Sequence, residues 1–278
     1  MTWCDFRPTA PWRGVQWDAQ AWRDWDGRSR SSLFEMENFT PWLLALDWMH
    51  CKYLGHDQFV FGSVLALLVE WVLPQSPLAN LQTIWKDIAE FYKNNHTPVR
   101  YRYLNKLSMF IRKPPASPKL RGKAAEIKYL GGALMYVWQK YHNDQLRVHR
   151  EILLYLKLNN QVEELLIEHK EAVKIPDDDA PKFEELVTTM LLLLTRVAEH
   201  FLVEKLFNLT QKAHVLQHIS LLVKYLNPRL LWCFMGEDMQ KRMACLAKTC
   251  VKGQRPGQCI SKMLARYRLA QHMRFEDD

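Results

Sequence analysis

Helical spacing of apolar residues is the feature that most constrains this fold, and it runs through most of the block 57–228. In the segment from Leu78 to Asn94, for example, apolar side chains recur every three or four residues, which indicates an amphipathic helix. Prolines separate this segment from apolar segments on either side of it. We therefore predict a mainly α protein in which 57–228 forms a helical domain.

Two details within this block affect the helix boundaries. The pair Gly131–Gly132 lies inside a helical pattern, where it marks either a weak point or a site of close packing. The pattern over 144–174 predicts either one helix or two helices, and a break is expected at Asn159–Asn160. Both questions concern side-chain packing, so the periodicity leaves them open.

Two short apolar runs flank the helical block. The first covers 42–47 and ends on Asp47, and the second covers 230–235 and is followed closely by Glu237. Short apolar runs bounded by Pro, Gly or polar residues are typical of buried strands, so we predict strands at both places. An aspartate after an apolar run also serves as a helix cap or turn residue, which is the structural alternative for Asp47.

The two acids at the ends of these runs suggest a metal site. If the fold brings Asp47 and Glu237 together, their carboxylates offer the oxygen ligands that divalent cations prefer. In phosphoryl transfer such ions activate the attacking oxygen and stabilise the leaving one. The expected cofactor is therefore Mg²⁺ or Mn²⁺, although the sequence does not establish that the two acids meet.

Positive charge is concentrated in 229–274. Ten lysines and arginines stand there against two acids, a balance of +8 that equals the net charge of all 278 residues. A basic region of this kind suits the phosphate backbone of DNA, whereas surface helices with basic faces are the alternative. The candidate nucleic-acid contacts are Lys241, Arg242, Lys248, Lys252, Arg255 and Arg266.

Residues 1–40 interleave tryptophans and arginines without a regular period. Such a segment either stacks on bases or places its rings against the side of a core; irregular structure is expected in both cases. The residues concerned are Trp3, Trp12, Trp17, Trp22, Trp25, Arg7, Arg13, Arg23, Arg28 and Arg30.

Histidine and cysteine offer weaker metal signals. His214 and His218 lie four residues apart on one helix face, where they either share a metal or take packing and hydrogen-bonding roles. The six cysteines form no C-x-x-C pair and are expected to be free thiols of an intracellular protein. The alternative is a metal site that would use Cys245, Cys250, Cys259 and His272.

The sequence shows no targeting or membrane-spanning segment. No charged-then-apolar leader opens the chain, and no apolar stretch is long enough to span a bilayer, so we expect neither secretion nor a membrane partner.

The sequence around Asp47 resembles a known family. Asp47 to His50, followed by Leu54 and Gly55, resembles the D-x-M-H-x-x-x-L-G segment of cut-and-paste DNA transposases of the CACTA (En/Spm) kind. The segment from Asn227 to Glu237 is similar to the family's G-P…R-W-x-x-x-x-E element, although Asn replaces Gly and Gly236-Glu237-Asp238 replaces a more usual E-R.

The resemblance implies a fold and a chemistry. Asp47 would be the second catalytic acid of an RNase H-like DDE core, Glu237 the third, and His50 a supporting residue. Both acids would ligate the metal, and the reaction would be DNA strand cleavage and transfer in the nucleus. In this scheme 41–56 and 229–274 form a partial α/β core, and 57–228 is the all-α insertion of the family.

One departure limits what we expect of this chain. The family's first catalytic aspartate lies on an earlier strand, and no aspartate among the 46 residues before Asp47 ends a strand-like run. We therefore expect a truncated or degenerate transposase-derived protein that is inactive alone, with homo-oligomerisation left open. The alternative is a non-catalytic helical scaffold that binds nucleic acid or protein through its basic C-terminal region.

Overall fold

The computed structural model describes residues 2–15, 24, 36, 45–251 and 256–276, and within them it contains helices and no β-strand. The prediction of a mainly α protein is therefore confirmed. The chain divides into two compact units, Met1–Trp232 and Cys233–Asp278. None of the helices in the described ranges is long and apolar enough to cross a membrane.

The helices of the first unit follow each other with short connections. Between and around them lie 3₁₀ turns at Thr2–Cys4, Pro11–Gly14, Leu107–Met109 and Pro228–Leu230. The helices are π1 (Met49–Asp57), α1 (Gln58–Leu67), π2 (Leu68–Val72), α2 (Pro77–Asn94), α3 (Ala124–Tyr141), α4 (Arg147–Glu168), α5 (Ala180–His200) and α6 (Gln211–Leu222). The second unit consists of α7 (Phe234–Val251) and α8 (Pro256–Glu276), which pack against each other.

The continuous stretch π1–α1–π2 forms the centre of the first unit. Val64, Leu65 and Leu68 on this stretch are fully buried, as expected of a helix that is apolar almost all round. Helices α3 and α6 pack against π1, while α4 and α5 pack along each other. The core is therefore built around 49–72, and each later helix buries its apolar face against this stretch or against a neighbour.

Side-chain caps fix where α2 begins. Ser76 accepts a hydrogen bond from the Ala79 N–H at 3.4 Å, and Pro77 occupies the first helical position. The Asn80 side-chain nitrogen lies 2.8, 3.0 and 2.9 Å from the carbonyl oxygens of Val69, Leu73 and Gln75, which share its two N–H donors. This buried side chain therefore satisfies the carbonyl groups of the turn that joins π2 to α2.

The predicted strand at 230–235 is wrong. Residues 228–230 form a 3₁₀ turn whose Arg229 N–H is capped by the Asn227 side chain at 3.0 Å, and α7 begins at Phe234. Trp232 lies between two cations instead, with Lys128 4.6 Å and Arg229 4.4 Å from the centre of its ring. A strand needs a neighbour to complete its hydrogen bonds, and no described residue supplies one.

The predicted strand near 42–47 is also not found where it can be assessed. Residues 42–44 lie outside the described part of the chain, residues 45–47 have no regular structure, and helix begins at Trp48. A partial RNase H-like α/β core therefore remains a prediction without a strand to support it among the described residues.

Close packing accounts for Gly131 and for the uninterrupted α4. A Cβ atom on Gly131 would lie 3.1 Å from the Asn159 side-chain nitrogen, so α3 and α4 approach closely at this point. The expected break at Asn159–Asn160 does not occur, because α4 runs from Arg147 to Glu168 without interruption. Asn159 is 2% exposed, and its side-chain oxygen accepts a hydrogen bond from the buried Lys52 ammonium.

Candidate functional site

Asp47 caps the start of π1. Its Oδ1 accepts a hydrogen bond from the Met49 N–H at 2.9 Å, and its carbonyl oxygen accepts from the Cys51 N–H at 3.1 Å. These are the bonds of a carboxylate that satisfies the first free N–H groups of a helix. Asp47 therefore has the structural role that the sequence offered as the alternative, that of a helix cap.

Asp47 and His50 form a carboxylate–imidazole pair. The His50 Nδ1 contacts the second carboxylate oxygen of Asp47, Oδ2. The Asp47 side chain is 20% exposed and the His50 side chain 41%, so both remain accessible to solvent. The aspartate and the histidine of the D-x-x-H pattern are therefore in contact at the first turn of π1.

Lys212 of α6 crosses π1 at Gly55. The Lys212 ammonium donates to the His50 carbonyl oxygen at 2.9 Å. A Cβ atom on Gly55 would lie 2.3 Å from the Lys212 Cδ and 2.8 Å from the His50 carbonyl oxygen, so only glycine fits without displacement. The glycine of the L-G element thus has a packing role, and Lys212 adds a positive charge next to the Asp47–His50 pair.

A second polar cluster lies deeper in the unit, at Lys52. The Lys52 side chain is fully buried, and its ammonium donates to both carboxylate oxygens of Asp57 at 2.9 and 2.7 Å. It also donates to the side-chain oxygen of Asn159 on α4. The three ammonium protons therefore have partners, which is the condition under which a buried charge is tolerated.

Glu163 and Lys128 extend this cluster towards α3 and α4. The Tyr53 hydroxyl donates to Glu163 Oε2 at 2.9 Å and accepts from the Trp48 indole N–H at 3.2 Å. The Lys52 and Lys128 ammonium groups lie 3.8 and 3.9 Å from the Glu163 carboxylate. With Asp57, the cluster contains two cations and two carboxylates, so its charges balance inside the unit.

Burial dominates the protonation of the cluster. It raises the pKa of Asp57 to about 6, against the opposing effect of Lys52. It lowers the pKa of His56 to about 3, an effect that Lys52 reinforces. The His56 Nε2 lies 2.6 Å from the Tyr155 hydroxyl, so the neutral ring keeps a hydrogen-bond partner. Asp57 and His56 have little contact with solvent, so we interpret them as groups that stabilise the fold and not as catalytic groups.

The two histidines of α6 contact each other. His214 Nε2 and His218 Nε2 are 3.0 Å apart, and the rings meet at a centroid distance of 4.5 Å. Trp12 packs against both rings at 4.6 and 4.8 Å. Within the described residues of this unit, no third metal-binding side chain converges on them. Their contacts are those of packing and hydrogen bonding, and the metal alternative stays a prediction.

The tryptophan–arginine segment is described only in part. Trp12 lies over the α6 histidines, and its indole N–H donates to the Asp5 carbonyl oxygen at 2.7 Å. Arg13 forms a half-buried ion pair with Glu184 of α5 at 2.9 Å. These two side chains pack on the core, which matches the core-contact alternative. Trp17, Trp22 and Trp25 lie outside the described residues.

Glu237 and the basic candidates belong to the second unit. Glu237 is exposed in the first turn of α7, a favourable position for a carboxylate because the helix dipole is positive there. Asp47 belongs to the first unit and Glu237 to the second, so each is described separately. Lys241, Arg242, Lys248 and Arg266 are exposed, whereas Lys252 and Arg255 lie outside the described residues.

The thiols of the second unit show no convergence of metal ligands among its described residues. Cys250 is buried, Cys259 is half-buried with its thiol 3.6 Å from the Cys250 carbonyl oxygen, and Cys245 is exposed. All three are free cysteines. The site with His272 therefore gains no support.

Comparisons with protein-family models, with curated proteins and with solved structures gave no match. The resemblance to CACTA transposases therefore stays a prediction. Sequence reasoning missed the cluster around Lys52, because its members come from π1, α3 and α4 and no local pattern joins them.

Proposed function

We propose that this chain binds nucleic acid without cutting it, through the basic helical pair α7–α8. The observation that supports the proposal is the exposure of lysine and arginine side chains along both helices. Only two acids, Glu237 and Asp238, lie among the cations of 229–274. Surface cations at this density neutralise phosphates and release bound counterions, which supplies most of the affinity in non-specific binding.

The exposed cations differ in how available they are for phosphate. Arg242 forms an ion pair with Asp238 at 2.6 Å, and Arg266 donates to the Thr249 hydroxyl at 2.7 Å, so Arg266 helps to hold α8 against α7. Lys241 and Lys248 form no ion pair with another described residue. These two lysines, together with the exposed Arg268, are therefore the best positions at which to test the proposal.

Replacing Lys241, Lys248 and Arg268 together with glutamine is expected to weaken binding to duplex DNA and to reduce its dependence on salt. Each lost phosphate contact lowers the slope of log affinity against log salt by about 0.9, so three should lower it by roughly 3. Fluorescence anisotropy with a labelled duplex, measured from low to physiological salt, gives both quantities.

A matched variant controls for the loss of charge itself. Lys86, Lys93 and Lys157 are exposed on the first unit, and their replacement with glutamine removes the same net charge elsewhere. We expect this variant to retain most of the parent affinity and slope. If both triple variants lose affinity equally, the binding is diffuse and the assignment to α7–α8 is wrong.

A second candidate function is metal-dependent cleavage by a transposase-derived site, and the Asp47–His50 contact is the observation that favours it. One carboxylate and one imidazole next to Lys212 could hold a divalent cation beside a phosphate. The placement of Asp47 as a helix cap favours the non-catalytic proposal over this one. Descent from a transposase, an RNase H-like core and a nuclear location are parts of this proposal.

We expect little DNA cleavage by the parent protein in Mg²⁺ or Mn²⁺, because one oxygen of the Asp47 carboxylate is engaged by the Met49 N–H as a helix cap. A supercoiled-plasmid assay with the parent, Asp47→Asn, Glu237→Gln and the exposed-site control Asp177→Asn tests this. Cleavage that is lost in Asp47→Asn and Glu237→Gln but kept in Asp177→Asn would establish the catalytic function. Equal activity in all four proteins would exclude it.

A further inference from the structure

An open cleft of about 800 Å³ lies on the first unit, away from the Asp47–His50 pair. Its walls are the end of π2, the first turn of α4, and the last turn of α5 with the residues that follow it. Leu67 and Val148 form a buried apolar floor. The volume falls within the range of about 300–1,000 Å³ that is usual for small-ligand sites.

Trp71 provides an exposed aromatic wall. It is 55% exposed, and it makes no ring or cation–π contact with any other described residue. Trp71 lies in π2, and π-helical turns are rare and frequently occur at functional sites. A large indole left in solvent beside an apolar floor offers a face to a ligand rather than to the core.

The charge of the cleft is opposite to that of the chain. Its lining carries three glutamates and two arginines, whereas the whole chain carries +8. Arg147 is engaged by Glu151 at 3.0 Å, which leaves Arg196, Glu199 and Glu204 without an ion pair to another described residue. These three side chains carry a net charge of −1, which favours a cationic ligand over an anionic one.

The end of α5 strengthens the negative potential. The carboxyl end of a helix carries partial negative charge from its free carbonyl groups, so carboxylates there are unfavourable unless a cation is near. Glu199 is in the last turn of α5, and Glu204 lies a few residues beyond it. His149 on the opposite wall is kept neutral, because burial lowers its pKa and its Nδ1 accepts from the Asn143 N–H at 3.0 Å.

The segment that directly follows the lining residue Glu204 has a strained backbone. Lys205 and Phe207 have φ angles of 56° and 54°, in the left-handed region that non-glycine residues seldom adopt. The Phe207 N–H donates to the Ser63 hydroxyl at 2.8 Å, and this buried contact keeps the segment in place. Strain of this kind is retained where the surrounding structure fixes a particular shape.

We propose that this cleft binds an organic cation with an apolar body. The ammonium or guanidinium group lies among Glu199, Glu204 and the carboxyl end of α5, and the apolar body lies against Trp71 and the floor. A cation near the face of tryptophan gains further attraction from the ring. The cation belongs either to a free amine or to a lysine or arginine side chain of a peptide, because both present the same chemistry.

The test compares ligands that differ in charge, with the whole chain as receptor. Phenethylammonium, phenethyl alcohol and phenylacetate share one ring and carry positive, zero and negative charge. Calorimetry and saturation-transfer NMR should show binding of the ammonium ion, and binding of the alcohol about fivefold weaker, as expected of a partly exposed charge interaction. A blocked peptide with one lysine between two leucines distinguishes the sources: tighter binding than phenethylammonium indicates a peptide ligand, and weaker binding indicates a free amine.

Variants locate the binding and reveal its electrostatics. The double variant Glu199→Gln, Glu204→Gln should weaken phenethylammonium about tenfold, and Trp71→Ala should weaken it by a similar factor. Arg196→Gln should strengthen it, because a competing cation is removed. The control changes Glu164→Gln and Tyr103→Ala lie at exposed positions outside the cleft and should leave binding unchanged.

Three outcomes would overturn the proposal. The first is equal binding of the ammonium ion, the alcohol and the carboxylate. The second is unchanged affinity in the Glu199/Glu204 double variant when circular dichroism shows that the variant is folded. The third is the absence of binding by both cationic probes at millimolar concentration. None of these results depends on nucleic-acid binding, so the two proposals stand or fall separately.

Discussion

Replacing Lys52 with methionine is expected to lower the free energy of unfolding by about 3–5 kcal/mol, because a buried carboxylate loses its cation. Asp57 is 1% exposed and receives two of its hydrogen bonds from the Lys52 ammonium. Methionine fills a similar volume without a charge, so the loss reports the unpaired Asp57 rather than a cavity. Urea denaturation followed by circular dichroism measures the change.

A double variant separates the ion pair from the packing. Lys52→Met combined with Asp57→Asn removes both charges, and the loss of stability should be clearly smaller than in Lys52→Met alone. The exposed control Lys86→Met should change stability by less than about 0.5 kcal/mol. If the single and double variants are equally unstable, the hydrogen bond to Asn159 or the local packing carries the effect instead of the Lys52–Asp57 pair.

His56 is expected to contribute stability that is lost in acid below pH 6.5, whereas Asp57, whose pKa burial raises to about 6, gives the opposite trend below that pH. Burial lowers the pKa of His56 from 6.5 to about 3, so the folded protein keeps this ring neutral while the unfolded chain binds a proton. The stability from the neutral ring is complete above pH 6.5 and is lost progressively as the pH falls towards 3. The slope is about 1.4 kcal/mol per pH unit, or about 2 kcal/mol between pH 6.5 and 5.

Comparing variants isolates this contribution from the other titrating groups. Urea unfolding at pH 7, 6 and 5 should show a steeper loss of stability for the parent than for His56→Gln, which cannot titrate. Tyr155→Phe removes the hydrogen-bond partner and leaves His56 buried, so this variant should keep the pH dependence of the parent. Parallel stability curves for the parent and His56→Gln would show that another group controls the acid response.

The local sequence around Asp47 allowed two different structures. The abrupt end of an apolar run on Asp47 was compatible with a strand end or with a helix cap. The Asp47 side chain accepts from the Met49 N–H, so the helix cap is the correct alternative in the described part of the run. A strand would have required a neighbouring strand, and the presence of such a partner is decided by residues distant in sequence.

The strand prediction at 230–235 was wrong for a similar reason. Its apolar residues suggested a buried strand, yet Trp232 lies between Lys128 and Arg229, and the chain enters α7 at Phe234. Contact with Lys128 joins residues about a hundred positions apart, so no window of neighbouring residues contains this information. The helix pattern over 78–94, by contrast, corresponds to α2 at Pro77–Asn94, because apolar periodicity and proline act within the segment itself.

The helical class, the approximate ends of several helices and the concentration of positive charge after residue 229 could all be predicted from the sequence, because they follow from local sterics, periodic burial and composition.

The polar cluster, the glycine contact and the cleft depend instead on contacts between distant residues. Hydrogen bonds in a π-helix connect residues five apart, which brings Lys52 and Asp57 of π1 onto adjoining turns. Packing of α4 then places Asn159 against Lys52, α6 places Lys212 across Gly55, and three separate elements enclose the cleft beside Trp71. Each contact joins distant residues, and only burial in one core can determine their distance.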